Sequence, residues 1–213
     1  YWQSEVQLEE VDSPDRIPDV TGSLDGVAFV GESREAAATL GIAENLVEPP
    51  ELMAPLDWYR AYKTDHEIGL LDEAAKLGAA GHRVAREMFE KGASEREIHW
   101  AYLQSSGQLE RELPFEAIVA LESKISVLHY PHKRGHEAAP GRCFMLDAGA
   151  SFHGYASDIT RTWTLDSADD TYRSIVQSMD ALQRDLVASV LSGKPFGDLH
   201  AEAHHRVAML LSE

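Results

Sequence analysis

Cysteine, basic side chains and long apolar runs are all scarce in this sequence of 213 residues. The single cysteine, Cys143, permits no disulfide within the chain. A lone thiol beside Phe144-Met145-Leu146 fits a reducing compartment, so the cytoplasm is the expected location. Bases are outnumbered, 19 Lys and Arg against 36 Asp and Glu, and the formal charge of −17 repels phosphate backbones and anionic headgroups. No nucleic-acid partner is expected. Apolar stretches such as Ala117 to Leu121 fall far short of the roughly 20 residues a membrane helix needs, so no membrane partner is expected either. The chain opens at Tyr1 without Met and without a basic segment leading into an apolar one, and is expected to begin inside something longer. The glycines between Gly26 and Gly31 do not make GxGxxG, and the histidines of the tail do not make HExxH.

What is present is ordinary globular material, 44% hydrophobic and 26% charged. The first 55 residues stand apart: they are acidic, with only Arg16, Arg34 and nearby Arg60 as bases, and are interrupted by Pro14, Pro18, Pro49 and Pro50. They read as loop plus a small αβ piece. Gly26 to Gly31 reads as a short buried strand, and Ser33 as the cap of a brief helix through Ala36 to Leu40 that Gly41 ends. From Thr64 onward, Thr64 with Glu67, Ser94 with Glu97 and Ser167 with Asp170 have the capping-box spacing, and each is expected to open a helix. The first runs to about Gly92, with Ile68, Leu71, Ala75, Leu77, Ala79 and Val84 as its apolar face; the second covers Ile98 to about Gln104. Ala117 to Leu121, Ile125 to Tyr130 and Cys143 to Leu165 read as strands. Helices follow from about Asp170 to Leu191 and from about Phe196 to the end. This order predicts an α+β fold with helices packed on one face of an antiparallel sheet.

The most informative stretch runs from Phe144 to Trp163. Two extended segments meet at a Gly-containing turn, and with Phe152 and His153 as the loop residues, Asp147 lies directly across from Asp158. Their Cβ atoms would then sit about 4.5 to 5.5 Å apart. Like charges so placed repel, and Arg161 has the opposite parity, so no base in either strand shares their face. A divalent metal, or a pair, held by these hard oxygen ligands would resolve the conflict. The competing reading is two solvated carboxylates on an exposed strand face in a slipped register. His129, inside the apolar run Val127-Leu128-His129-Tyr130, reads from the residues alone as a hydrogen-bonded structural side chain or as a catalyst. His132 and His136 are expected to be exposed. His200 and His204 lie one helical turn apart, as in helical metal sites, but share their helix with Leu199, Val207 and Leu210 and are read as structural.

The run Asp147-Ala148-Gly149, then Asp158-Ile159-Thr160-Arg161, with Leu128-His129-Tyr130 ahead of it, resembles the pita-bread metallopeptidases, and within them the bacterial prolidase (Xaa-Pro dipeptidase) branch. Tyr59-Arg60, Lys63-Thr64, Gly81-His82-Arg83, Pro114-Phe115 and Ile118 to Leu121 extend the likeness, which is weak over residues 1–55 and strong from about 56 to 213. The resemblance implies the remainder of a small α/β N-terminal domain over 1–55 and the first half of a pita-bread catalytic domain over 56–213. It implies Asp147 and Asp158 as metal ligands, with two Mn²⁺ per active site in the complete enzyme and Co²⁺ or Zn²⁺ as alternatives. It also implies His129 as a non-ligating catalytic residue that hydrogen-bonds the substrate, with Leu128 and Phe115 beside it on the substrate side. The family's other His and two Glu ligands find no match up to Glu213, so a partial sequence is expected. Phe115 and Phe196 stand where bacterial members tend to carry Tyr, which removes any phenolic hydrogen bond there.

The activity so implied is hydrolysis of dipeptides ending in proline, by a homodimer, with organophosphorus ester hydrolysis as a side activity. Creatinase-type members lack the Asp pair, and methionine aminopeptidases lack an N-terminal domain. An aminopeptidase P-like peptidase and a non-catalytic binding protein or inactive half-domain remain as alternatives.

Overall fold

The computed structural model describes residues 9–136 and 141–212. Residues 1–8, 137–140 and 213, which the expected domain ranges include, lie outside the described residues. Two compact units are present, the first ending at Thr64 and the second starting at Asp65.

Among its described residues the first unit holds the helices α1 (Ile17–Thr21), α2 (Arg34–Thr39) and α3 (Pro50–Ala61). Ser33 caps α2 as expected, its side chain accepting from the Ala36 N–H. The strand expected over Gly26 to Gly31 is absent. Phe29 alone forms a bridge, to Val47, while Val27 and Val30 are about half exposed, so no buried strand face exists to extend the pairing. The proline pair that read as a loop instead starts α3, because Pro50 occupies the first helical turn, where its missing N–H leaves nothing unpaired.

The second unit begins with α4 (Asp65–Glu90) and α5 (Glu95–Ser106), joined through the Ser94–Glu97 capping box. The buried stripe of α4 is not the expected one: it consists of Ala74, Gly78, Gly81, His82, Ala85 and Phe89, while Ile68 is exposed. Small residues are needed there because the neighbours are close. A Cβ on Gly81 would lie 2.4 Å from the Tyr102 ring, and one on Gly78 2.6 Å from Ser157 Oγ.

These two helices cover one face of an antiparallel sheet in the order β1 (Ile118–Leu121), β2 (Cys143–Ala148), β5 (Ile159–Thr164). Val119 and Leu121 of β1 and Phe144, Leu146 and Ala148 of β2 point into a core with Ala85, Phe89, Ile98 and Tyr102. Phe144 stacks on Trp163 at 5.2 Å and meets Phe89 at 5.3 Å. Alternation then sends Asp147 and its β5 partner Thr160 to the opposite face. Between β2 and β5 the hairpin continues through β3 (Ser151–Phe152) and β4 (Tyr155–Ala156).

Residues Ile125 to Tyr130 do not form the expected strand. Glu122–Ser126 is a 3₁₀ turn, and a loop follows. Positive φ at Glu122, 57°, just ahead of the segment and at His129, 55°, within it interrupts regular extended backbone. After β5, α6 (Asp170–Ala188) packs along it and α7 (Phe196–Leu210) packs on α6. The cap of α6 is Asp169 rather than Ser167: its Oδ1 accepts from the N–H groups of Thr171 and Tyr172. Among the described residues no helix is long and apolar enough to cross a membrane.

Candidate metal centre

The hairpin turn fixes where the two carboxylates go. Phe152 pairs with Tyr155, so the loop residues are His153 and Gly154, with φ of 48° and 85°. A two-residue hairpin loop with two left-handed residues matches the strand twist, and His and Gly accept those angles more readily than Phe would. The register therefore differs from expectation by two residues: Asp147 faces Thr160, not Asp158. A shift of two preserves the face, so Asp158 becomes a diagonal neighbour of Asp147 on the same side. Gly149 makes this possible. Its missing Cβ would stand 1.9 Å from the Ser157 carbonyl oxygen and 2.8 Å from Pro114.

Both carboxylates line one cleft of about 360 Å³, together with Phe115, Glu116, Ile118, His129, Tyr130 and Pro131. Sequence positions spread over more than forty residues thus meet in one place. Leu128 is not among the lining residues and is 85% exposed. His132 and His136 are exposed, as expected. His200 and His204 stand together on α7 with ring centroids 4.4 Å apart, both exposed, and His200 also stacks on Phe196 at 6.4 Å.

Neither Asp147 nor Asp158 has a hydrogen-bond or ion-pair partner among the described residues, and Asp147 Oδ1 is buried as well as unpartnered. An orphaned buried carboxylate oxygen is costly, and a second carboxylate on the same face raises that cost, unless a cation lies between them. The pair fits a hard divalent ion such as Mn²⁺. Among the described residues no group of three or more His, Cys, Asp or Glu side chains gathers for a metal.

The opposite wall of the cleft comes from the loop after β1. His129 sits in the left-handed region, which costs a non-glycine residue about 1–2 kcal/mol. Such strain persists only where the surroundings over-determine it. Next to it Tyr130 is buried, its hydroxyl donating to Glu95 at 3.2 Å. Burial and the Glu95 carboxylate push the Tyr130 phenol up. Glu116, also in the cleft wall, pairs with Lys133 at 3.1 Å.

Two further groups are accounted for by packing. Burial, with the Glu122 carboxylate nearby, pushes the Cys143 thiol up, the direction opposite to thiol activation. Burial lowers the basicity of His82, whose two ring nitrogens lie 3.0 Å from the Gly78 carbonyl and 2.9 Å from that of Ile159. A ring that carries its proton on Nε2 donates to the Ile159 carbonyl and joins α4 to the strand that follows Asp158.

The chain is thus a helix-backed antiparallel sheet that presents two unpaired aspartates to a cleft, a candidate metal-binding scaffold. The model of metallopeptidase family M24 matches residues 69–209, and the chain belongs to that family. An Xaa-Pro dipeptidase of Shewanella amazonensis is 37% identical over 214 residues, covering 100% of this chain and 48% of the relative. An Xaa-Pro dipeptidase of Salmonella paratyphi B is 38% identical, covering 99% and 48%. The chain spans about half the length of these curated relatives. Among solved structures, zinc-substituted Escherichia coli aminopeptidase P in complex with product superposes with a TM-score of 0.67 at 20% identity, over 85% of this chain and 44% of that one. The X-Pro aminopeptidase of Thermotoga maritima gives 0.63 at 18%, over 95% and 59%. The fold is therefore pita-bread.

Proposed function

We propose that the protein carrying this chain is a metal-dependent peptidase that hydrolyses dipeptides with C-terminal proline. The observation that carries the reading is the cleft in which Asp147 and Asp158, both unpaired, share a space with His129 and Phe115. The 37% and 38% identity to Xaa-Pro dipeptidases supports the substrate class.

In this reading Asp147 and Asp158 hold divalent metal, with Mn²⁺ as the preferred ion and two ions in the complete site. Metal held there would supply Lewis acidity and lower the pKa of its bound water toward neutrality. Asp is suited to the task because two anionic side chains offset the charge of dications where neutral ligands would not. His129, exposed at the rim and free of a strand's constraints, donates a hydrogen bond to the substrate carbonyl oxygen as negative charge develops on it. Phe115 supplies an apolar contact for the pyrrolidine ring and, lacking a hydroxyl, no hydrogen bond. The complete enzyme is read as a cytoplasmic homodimer, with organophosphorus ester hydrolysis as a side activity.

The test is turnover of Ala-Pro by the intact protein with Mn²⁺, after chelation and after readdition of metal. Activity that disappears with chelation and in Asp158→Asn is expected. The fold likeness to aminopeptidase P gives a second reading, cleavage of the residue ahead of proline in longer peptides. Preference for an Ala-Pro-Ala tripeptide over Ala-Pro would select it. Metal binding without turnover of either peptide would select a non-catalytic binding protein.

A further inference from the structure

We propose that the buried Glu95 carboxylate is a positioning residue that holds the His129 loop in its substrate-binding geometry. This rests on the peptidase reading above for the role of His129, but not for the anchoring itself. The loop has little of its own to hold it: after a single 3₁₀ turn Leu128 is 85% exposed and His129 is also exposed, so apolar burial does not fix this stretch. A segment of that kind opens readily.

Glu95 supplies what is missing. It lies in the first turn of α5, with no exposure at all, and one carboxylate collects donors from both ends and the middle of the segment. Oε1 accepts from the Leu121 N–H at 3.1 Å and the Lys124 ammonium at 2.7 Å. Oε2 accepts from the Tyr130 hydroxyl at 3.2 Å and the Arg134 N–H at 3.0 Å. An ionised carboxylate has about four acceptor positions, and these four donors match them. Lys124 provides the countercharge, and the helix N-terminus favours the anion. Because Tyr130 follows His129 directly, its tether limits how far His129 can relax from its left-handed backbone. The capping-box spacing assigns roles to Ser94 and Glu97 and gives none to Glu95 between them.

Glu95→Gln keeps the shape and turns one acceptor into a donor facing donors. In the intact protein with Mn²⁺, it is expected to lower kcat for Ala-Pro at least about 10-fold, with KM changed less, and no further than His129→Ala does. In a His129→Ala background the same substitution is expected to cost under about 3-fold, since residues acting as a unit are not additive. Backbone hydrogen exchange of residues 121–134 should rise while that of α4 and β2 stays unchanged. Should Glu95→Gln not yield folded protein, Tyr130→Phe removes one donor and is expected to act in the same direction, again only when His129 is present. Equal losses in both backgrounds, or unchanged exchange over 121–134, would overturn the proposal. If the unsubstituted protein fails to cleave Ala-Pro, the peptidase reading falls. The exchange measurement then decides the anchoring alone, and unchanged protection would refute it.

Discussion

Gly149→Ala is expected to be among the most damaging single-methyl changes in the chain, because the new Cβ would have to occupy a backbone atom's place. It would lie 1.9 Å from the Ser157 carbonyl oxygen and 2.8 Å from Pro114 Cγ. Ordinary contact requires a retreat of more than about 1 Å, and the nearest obstacle is backbone, which cannot rotate away. The strands must part where the hairpin passes Asp158. Three bonds are at risk: Ser157 N–H to the Ala150 carbonyl at 2.9 Å, Ala150 N–H to Ser157 Oγ at 3.0 Å, and Ser157 Oγ to the Ala150 carbonyl at 3.4 Å. All three are buried, and losing the two shorter ones at about 1–1.5 kcal/mol each, with about 1–3 kcal/mol for overpacking, gives about 3–6 kcal/mol. The same retreat moves Asp158 relative to Asp147, so affinity for Mn²⁺ should fall about 10- to 100-fold, as when the support of a ligand is lost. Urea unfolding of the intact protein, with and without Mn²⁺, measures both effects. A Gly149→Ala protein within about 0.5 kcal/mol of the parent, with an unchanged Mn²⁺ shift, would refute the reasoning.

The core and the loop ends give further expected outcomes. Phe144→Ala should cost about 3–5 kcal/mol in urea unfolding, since it removes a fully buried ring from between Phe89 and Trp163. Ser94→Ala should cost about 1 kcal/mol through loss of the α5 cap. His129→Ala should lower kcat for Ala-Pro about 10²- to 10³-fold with Mn²⁺ affinity unchanged, and a loss of metal instead would make His129 a ligand. Burial raises the Glu122 carboxyl but is outweighed by the Arg142 and Cys143 N–H groups and the Arg142 guanidinium, leaving it below the usual Glu range. Its contribution is therefore complete above the unfolded pKa and is lost as pH falls through the lower, folded value. The Cys143 amide resonance should titrate in that acid window, and not in Glu122→Gln.

Some of this architecture was legible because the signals are local. Ser33 and the Ser94–Glu97 box mark helix starts by side chains that bond their own backbone, and alternation along β2 separates Leu146 and Ala148 from Asp147 without reference to anything distant. The shared face of the two aspartates was legible for a subtler reason. The turn was placed one residue early, yet the resulting error of two in register cannot change the side a residue occupies. The failures share a cause as well. Ile125 and Val127 give a strand-like composition, but left-handed backbone at Glu122 and His129 breaks the chain there, and contacts far along the sequence impose it. The buried stripe of α4 was misread because hydrophobicity marks large side chains, whereas this helix approaches its neighbours through Gly78 and Gly81.

The location of the unpaired aspartates follows from how the sheet divides its labour. On one face Phe144, Leu146 and Ala148 pack in one core with residues of α4 and α5, and Phe144 lies between the rings of Phe89 and Trp163. On the other face the neighbours of Asp147 are Ile118 of β1 and Thr160 of β5, neither of which can neutralise a carboxylate. Rigidity on the first face is what lets the second keep an uncompensated charge: a softer sheet would rotate Asp147 toward solvent and relieve the orphaned oxygen. The His129 wall is built differently, from a loop tied to buried Glu95 rather than from packed apolar surface. Metal affinity should therefore respond to substitutions beneath the sheet, such as Phe144→Ala, and turnover without loss of metal to substitutions around Glu95. Measuring both quantities in Phe144→Ala and Glu95→Gln tests that division, and a Glu95→Gln protein that loses Mn²⁺ in proportion to its activity would contradict it.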